Sequence, residues 1–291
     1  MKKTYHLCLS AGNEVMFRDL EDYNRGFNCF ALALYKTGST GLVESFMSTH
    51  THQLVQTTDP DELMYNFRLS YSMYFNHKYH RSGKLGEQTH FTLDIVGFHH
   101  MVAAASYVLR NCLHHGVAPI PYAYPHCSVN AIFRKEMGKF IGRRAEYPSN
   151  YVMSESGVFL RESVLDIPQV ENMFLTPRSF NFYMTRKSGE EWDAEQKNDG
   201  NGIEPISLLS IEKGVSMHEI DKMLVFENGK ADYRRISDID LCTGLDQLAR
   251  NRYGRHSVYQ LTENEKSNIA SELYYDRHIN KAQIQRCLVM P

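Results

Sequence analysis

Two histidines one residue apart, His50 and His52, and a tyrosine with an asparagine four residues on, Tyr107 and Asn111, are the side chains best suited to chemistry in this sequence. The stretch from Phe46 to Gln56 reads as a strand, bounded by Gly38 and Gly41 on one side and Asp59-Pro60 on the other. In a strand, successive side chains point to opposite faces, so His50 and His52 share a face and Thr51 points away. Two imidazoles on one side of a rigid element make half of a divalent-metal site; two ordinary histidines on a half-exposed strand would give the same pattern. Tyr107 and Asn111, at helical spacing, project from one face of a helix. A phenol oxygen is a nucleophile and a carboxamide oxygen a hard-metal ligand, although Tyr-x-x-x-Asn alone equally describes packing residues. A second group, Cys112, His114, His115, His126 and Cys127, could be read as zinc ligands. Its spacing fits none of the usual zinc patterns, and His114-His115 at a helix end also suits the helix dipole. His77/His80 and His99/His100 read as surface or core histidines. No hydrolase elbow, Gly-rich dinucleotide turn or P-loop is present.

Composition limits what these residues can serve. The chain has 291 residues, 42% of them apolar and 23% charged, as expected of a globular protein of about two domains. A net charge of -2 and a pI near 6.7 argue against bulk electrostatic binding of nucleic acid and leave room for a local basic groove. The six scattered cysteines contain no Cys-x-x-Cys and read as reduced thiols of a cytoplasmic protein. Met1 to Ser10 is too short and polar for a signal peptide, and no apolar run approaches the roughly 18 residues of a membrane span.

The elements that must position the candidates follow in order. Thr4 to Ala11 alternates as a first strand. A helix from about Arg18 to Tyr35 has an acidic first turn and an inner face of Phe27, Phe30, Ala31 and Leu34. Gly41–Met47 and Thr51–Thr57 read as two strands or one bent one. Asp59 caps, and Pro60 begins, a helix to about Tyr79. Glu87 to Leu93 reads as another strand, and Asp94 to His115 as one long helix ended by Gly116. This order predicts an α+β fold, an antiparallel sheet with packed helices.

The residues around both features resemble a known family, the single-tyrosine HUH transposases of insertion sequences, nearest their REP-associated relatives. The resemblance is carried by Tyr5-His6-Leu7, Phe17-Arg18-Asp19 with Asp22-Tyr23, Met47 to His52, Asn76 to Leu85, and Tyr107 to Asn111 followed by Gly116-Val117. It spans roughly residues 4 to 130. Thr51 departs from it, standing where the family has a large apolar residue. So do Ser48-Thr49, in place of a proline and an asparagine, and Cys112, in place of a proline.

The resemblance implies a ferredoxin- or RRM-like HUH core in which His50, His52 and Asn111 hold Mg²⁺ or Mn²⁺ and Tyr107 is the nucleophile. Two nitrogens and one oxygen suit Mn²⁺ well and Mg²⁺ adequately. It implies nicking and strand transfer on single-stranded or hairpin DNA through a 5′-phosphotyrosine, with the metal or Arg110 helping the phenol ionise. Candidate DNA contacts are Lys78, Arg81 and Lys84 in a loop, Arg110, and Arg134, Lys135, Lys139, Arg143 and Arg144 beyond the nucleophile helix.

The expected division is a catalytic domain over 1–148, a hairpin/helix connector with an acidic linker over 149–204, and a helical domain over 205–291. The connector holds a hairpin at Tyr151–Arg161, a helix entrance at Leu175 to Arg178, and the linker at Lys187–Glu204. Helical pieces are expected near Ser216–Phe226, Ser237–Arg250, Glu263–Tyr275 and Lys281–Leu288. The last two fit a helix-turn-helix contacting duplex DNA, or two packed amphipathic helices without that role. Three functions stay open: a DNA nickase and strand transferase acting as monomer or homodimer, a domesticated binder of DNA hairpins or regulatory sites that does not cut, and a zinc-stabilised DNA-binding protein.

Overall fold

The computed structural model describes residues 1–12, 14–86, 89–137, 145–146, 150–185, 225–227, 230–232 and 236–290. Four strands, β1 (Lys3–Ser10), β2 (Thr40–Phe46), β3 (His50–Thr57) and β4 (Phe91–Ile95), form an antiparallel sheet in the order β2-β3-β1-β4. Helices α1 (Leu20–Lys36) and α2 (Pro60–Tyr79) complete a β-α-β-β-α-β unit, the ferredoxin-like arrangement. Both helices start where local chemistry dictates. Asp19 accepts from the Asp22 amide at 3.0 Å, and Asp59 accepts from the Glu62 amide at 2.9 Å ahead of Pro60.

One sheet face packs on α1 and α2. Phe46 lies edge-on to Phe27 and Phe30 of α1 and to Phe67 of α2. Thr51, opposite Leu9 and Phe46 in register, points into this apolar layer. It is fully buried, and its hydroxyl has no hydrogen-bond partner among the described residues.

The expected helix Asp94–His115 is divided. Phe91–Ile95 completes the sheet on the free edge of β1, with Cys8 opposite Phe91 and Thr4 opposite Ile95. The strand expected over Glu87–Leu93 is thus present, and pairing with the open edge overrides helical spacing only at Asp94 and Ile95. The chain turns at Gly97 (φ 89°) into α3 (Phe98–Leu109), breaks at Arg110 and resumes as α4 (Asn111–His114). The break needs no proline or glycine: the Arg110 amide shares the Ser106 and Tyr107 carbonyls, and the Leu113 amide returns to the Arg110 carbonyl, a local 3₁₀ tightening.

The outer edge of β2 is covered by the segment after α4. The Phe46 amide donates to the His126 carbonyl at 2.8 Å, and the Glu44 amide to Ser128 Oγ at 2.9 Å. Residues from Tyr151 to Met184 join the same core, including a turn at Gly157 (φ 79°) and helices Ile167–Phe174 and Pro177–Thr185. The expected linker Lys187–Glu204 and most of the expected helix Ser216–Phe226 lie outside the described residues; Val225–Glu227 pairs as a strand with Lys230–Asp232.

A second core is built from helices Asp238–Tyr253, Glu263–Ser271 and Lys281–Leu288, with Val15 from the N-terminal part inserted. Tyr274 and Tyr275 sit on a π-helical turn, Glu272–Asp276. This helical region is tied to the sheet region by buried polar contacts. Arg18, with no exposed surface, donates to both carboxylate oxygens of Asp246 at 3.0 and 3.2 Å and to the Cys287 carbonyl at 3.0 Å. Ser48 Oγ donates to Asp238 at 2.7 Å, and Ser257 Oγ to the Tyr79 carbonyl at 2.7 Å. Among the described residues no helix is long and apolar enough to cross a membrane.

Candidate active site

The sheet face opposite α1 and α2 carries the candidate residues. Register places Cys8 beside His52 and Ser10 beside His50, so these side chains share that face with His6. The tight turn at Met47–Thr49, held by the Met16 and Phe17 amides donating to the Ser48 carbonyl, makes His50 the first residue of β3. Helix α3 crosses this face and delivers Tyr107, while the break at Arg110 delivers Asn111. The Tyr107 ring lies edge-on to His52, 5.4 Å between centroids at 90°, and is stacked on His114 at 5.2 Å. His50 Nε2 and Asn111 Oδ1 are 3.2 Å apart, and the His50 and His52 rings meet edge-on at 4.9 Å. Four side chains from β3, α3 and α4 thus form one cluster. It is closed: His50, His52 and Asn111 are at most 1% exposed and Tyr107 is 4% exposed.

Three further histidines belong to this cluster. His6 Nε2 lies 3.0 Å from His52 Nδ1, the His115 ring is 4.9 Å from that of His50, and His114 lies against Tyr107. Burial keeps these imidazoles neutral. It pushes His6 down to about 3, and His50 to about 3 with help from neighbouring His115. His52 is driven well below the ordinary range by burial and then by His50 and His6. His115, half-buried, falls to about 4 through burial and His114, while His114, open to solvent on one side, is lowered by partial desolvation and the Arg110 charge. Neutral imidazoles keep a lone pair for a metal, which charged ones do not.

The donor set fits a divalent cation on one specific observation: His52 Nε2 is buried and has no partner among the described residues. The set is two imidazoles and an amide oxygen. Among the described residues no group of three or more His, Cys, Asp or Glu side chains could hold a metal ion, and this includes Cys112, His114, His115, His126 and Cys127. All six cysteines are free thiols.

The candidate DNA contacts are dispersed. Lys78 is enclosed by carboxylates, its Nζ 2.7 Å from Asp19 and 2.9 Å from Asp22. Burial opposes its charge, but Asp22 and Asp19 outweigh it and hold the ammonium above its ordinary range. Arg81 pairs with Glu14 at 2.9 Å and donates to Asn76 Oδ1 at 2.8 Å. Arg134 pairs with Glu162. Lys84 and Lys135 are exposed, and Arg110 is half-buried beside His114. Lys139, Arg143 and Arg144 lie outside the described residues.

Sequence reasoning missed His6 as part of the cluster and placed His114 and His115 with the zinc alternative. His6 was reachable only through the pairing of β1 with β3, which spacing along the chain does not reveal.

No family model matches the chain, and no curated protein matches it. Among solved structures, one of a REP-associated tyrosine transposase bound to a REP hairpin is similar, at 9% identity and a TM-score of 0.41. The similarity covers 51% of this chain and 92% of that one.

Proposed function

We propose that this chain is a divalent-metal-dependent DNA strand transferase that nicks single-stranded or hairpin DNA with Tyr107 as nucleophile. The observation that supports this most directly is the convergence of Tyr107, His50, His52 and Asn111 from three elements into one neutral, buried cluster. A phenol beside a nitrogen- and oxygen-donor set is equipped for phosphoryl transfer rather than for acyl or hydride chemistry. His50, His52 and Asn111 would hold Mg²⁺ or Mn²⁺, which when bound supplies polarisation of the scissile phosphate and offsets its developing charge.

Tyr107 then bonds to the phosphorus as the bond to the 3′-oxygen breaks. The phenol proton is lost, the leaving oxygen takes one up, and the products are a 5′-phosphotyrosine and a free 3′-hydroxyl. Attack of a second 3′-hydroxyl on the adduct reverses the step and transfers the strand without ATP. A free tyrosine has a pKa near 10, so Tyr107 needs help to ionise, and Arg110 three residues on is the cation of this chain nearest in sequence to it.

One observation favours a second reading, a hairpin or regulatory-site binder that does not cut: Tyr107 is 4% exposed, so a substrate reaches it only after the face opens. Incubation with end-labelled single-stranded hairpin DNA and Mn²⁺ separates the two. A denaturation-resistant adduct with wild type, and none with Tyr107→Phe, supports the nickase. Equal hairpin retention by both proteins, without an adduct, rules it out in favour of the binder.

A further inference from the structure

The contact between His6 and His52 has a chemistry of its own. Their facing nitrogens, His6 Nε2 and His52 Nδ1, are 3.0 Å apart, and the rings stack at 5.1 Å and 16°. Each neutral imidazole carries one N–H, so one bridging proton makes the bond. The outer nitrogens, His6 Nδ1 and His52 Nε2, find no partner among the described residues.

Only two arrangements form this hydrogen bond. In the first, His6 Nε2–H donates; His52 then bears its proton on Nε2 and has no lone pair there. In the second, His52 Nδ1–H donates to His6 Nε2; His52 Nε2 is then bare, and His6 bears its own proton on Nδ1. A cation can take His52 as a ligand through Nε2 only in the second. His50 has a way round the same constraint: its Nε2 donates to the acceptor-only Asn111 Oδ1 at 3.2 Å, and binding a cation there moves that proton to Nδ1. Its Nδ1 lies 3.2 Å from Thr49 Oγ1, and a hydroxyl donates or accepts with equal ease.

We infer that His6 is a positioning residue for the metal set, accepting the Nδ1 proton of His52 at its own Nε2 and so fixing His52 as a ligand through Nε2. The inference rests on the reading of His50, His52 and Asn111 as metal ligands. It adds an outer partner supplied by β1, a strand that contributes no ligand. Metal-bound histidines ordinarily donate their second N–H to a carboxylate, carbonyl or water. Here the acceptor is an uncharged ring, which fixes the tautomer without adding negative charge to the site.

The test uses the whole chain and Mn²⁺ alone, with binding followed by the electron paramagnetic resonance of free Mn²⁺. His6→Phe, which keeps a ring but removes the acceptor, should weaken binding about 10- to 100-fold. His6→Gln, whose amide oxygen can accept the same proton, should recover most of it. Unchanged binding by a folded His6→Phe protein overturns the inference and leaves the metal reading intact. A wild type that binds no Mn²⁺ overturns both. A measurement on the wild type alone covers the case in which the variants do not fold. In the Mg²⁺-saturated protein, ¹⁵N–¹H correlation of the histidine rings should show His6 protonated at Nδ1 and bare at Nε2. A proton on His6 Nε2 in that state refutes the assignment.

Discussion

Lowering the pH from 7.5 to 5.5 should destabilise this fold, because three imidazoles of the cluster are sealed in neutral form. His6, His50 and His52 are at most 1% exposed, and burial holds His6 and His50 at about 3 and His52 well below its ordinary range. Each group binds its proton less readily in the fold than in the unfolded chain. Its stabilising contribution is therefore complete above about pH 6.5 and is lost as the pH falls toward about 3. At pH 5.5 an ordinary imidazole of the unfolded chain is roughly nine-tenths protonated, and excluding that proton from the fold costs about 1.4 kcal/mol. Three such groups cost about 4 kcal/mol together, a large part of the roughly 5–15 kcal/mol that holds a typical domain. Urea unfolding followed by far-UV circular dichroism at the two pH values reads this loss directly. In His6→Phe the loss should shrink by about 1.4 kcal/mol, the share of one such group. Equal or greater stability at pH 5.5 would show that the histidines take up protons inside the fold, and the account of the cluster as neutral ligands would fail.

Other substitutions probe the frame around the site. Thr51→Val replaces a buried hydroxyl that has no partner among the described residues by a methyl group of the same shape. It should raise stability by about 1 kcal/mol in the same urea assay, whereas a loss would reveal a partner for that hydroxyl. Arg18→Met should cost about 3–5 kcal/mol by leaving Asp246 buried without its cation. Limited proteolysis should then cut first between the helical region and the sheet; an unaltered digestion pattern would show that Arg18 does not hold them together. Gly26→Ala, favourable for an isolated helix by about 1 kcal/mol, should instead destabilise by about 1–3 kcal/mol. Its Cβ would meet Phe17 Cε1 at 2.5 Å, so a raised melting temperature would contradict the packing described here.

The legible parts of the fold were those written in local chemistry. Asp19 and the Asp59-Pro60 pair announced α1 and α2, and a period of two put His50 and His52 on one face. Lys281–Leu288 was visible as a helix of those bounds. What was hidden depends on residues distant in sequence. The strand expected at Glu87–Leu93 is present as Phe91–Ile95; its last two residues, Asp94 and Ile95, looked like the start of the next helix and are strand because β1 has an edge to fill. The break at Arg110 carries no breaker residue, so Tyr107 and Asn111 looked like neighbours on one helix face rather than residues of two helices. Lys78 looked like a surface cation in a loop, yet it lies in the last turn of α2 with three acids of α1 and its cap around it. Charge alone does not say whether a lysine's counterion is a phosphate or the protein's own carboxylate.

The Arg18–Asp246 pair has a consequence in time. The two residues are 228 positions apart, and at about 5–20 residues per second a ribosome needs roughly 10–50 s to travel from one codon to the other. Through that interval the nascent sheet holds a guanidinium whose carboxylate has not been made, beside an apolar socket for helices still unwritten. The Cys287 carbonyl, Arg18's third acceptor, emerges later still. A message cut short before these codons would yield a sheet with the candidate histidines and tyrosine but with a stranded charge at its end. The C-terminal helices thus supply the partners that neutralise the buried Arg18 of the half carrying the candidate residues.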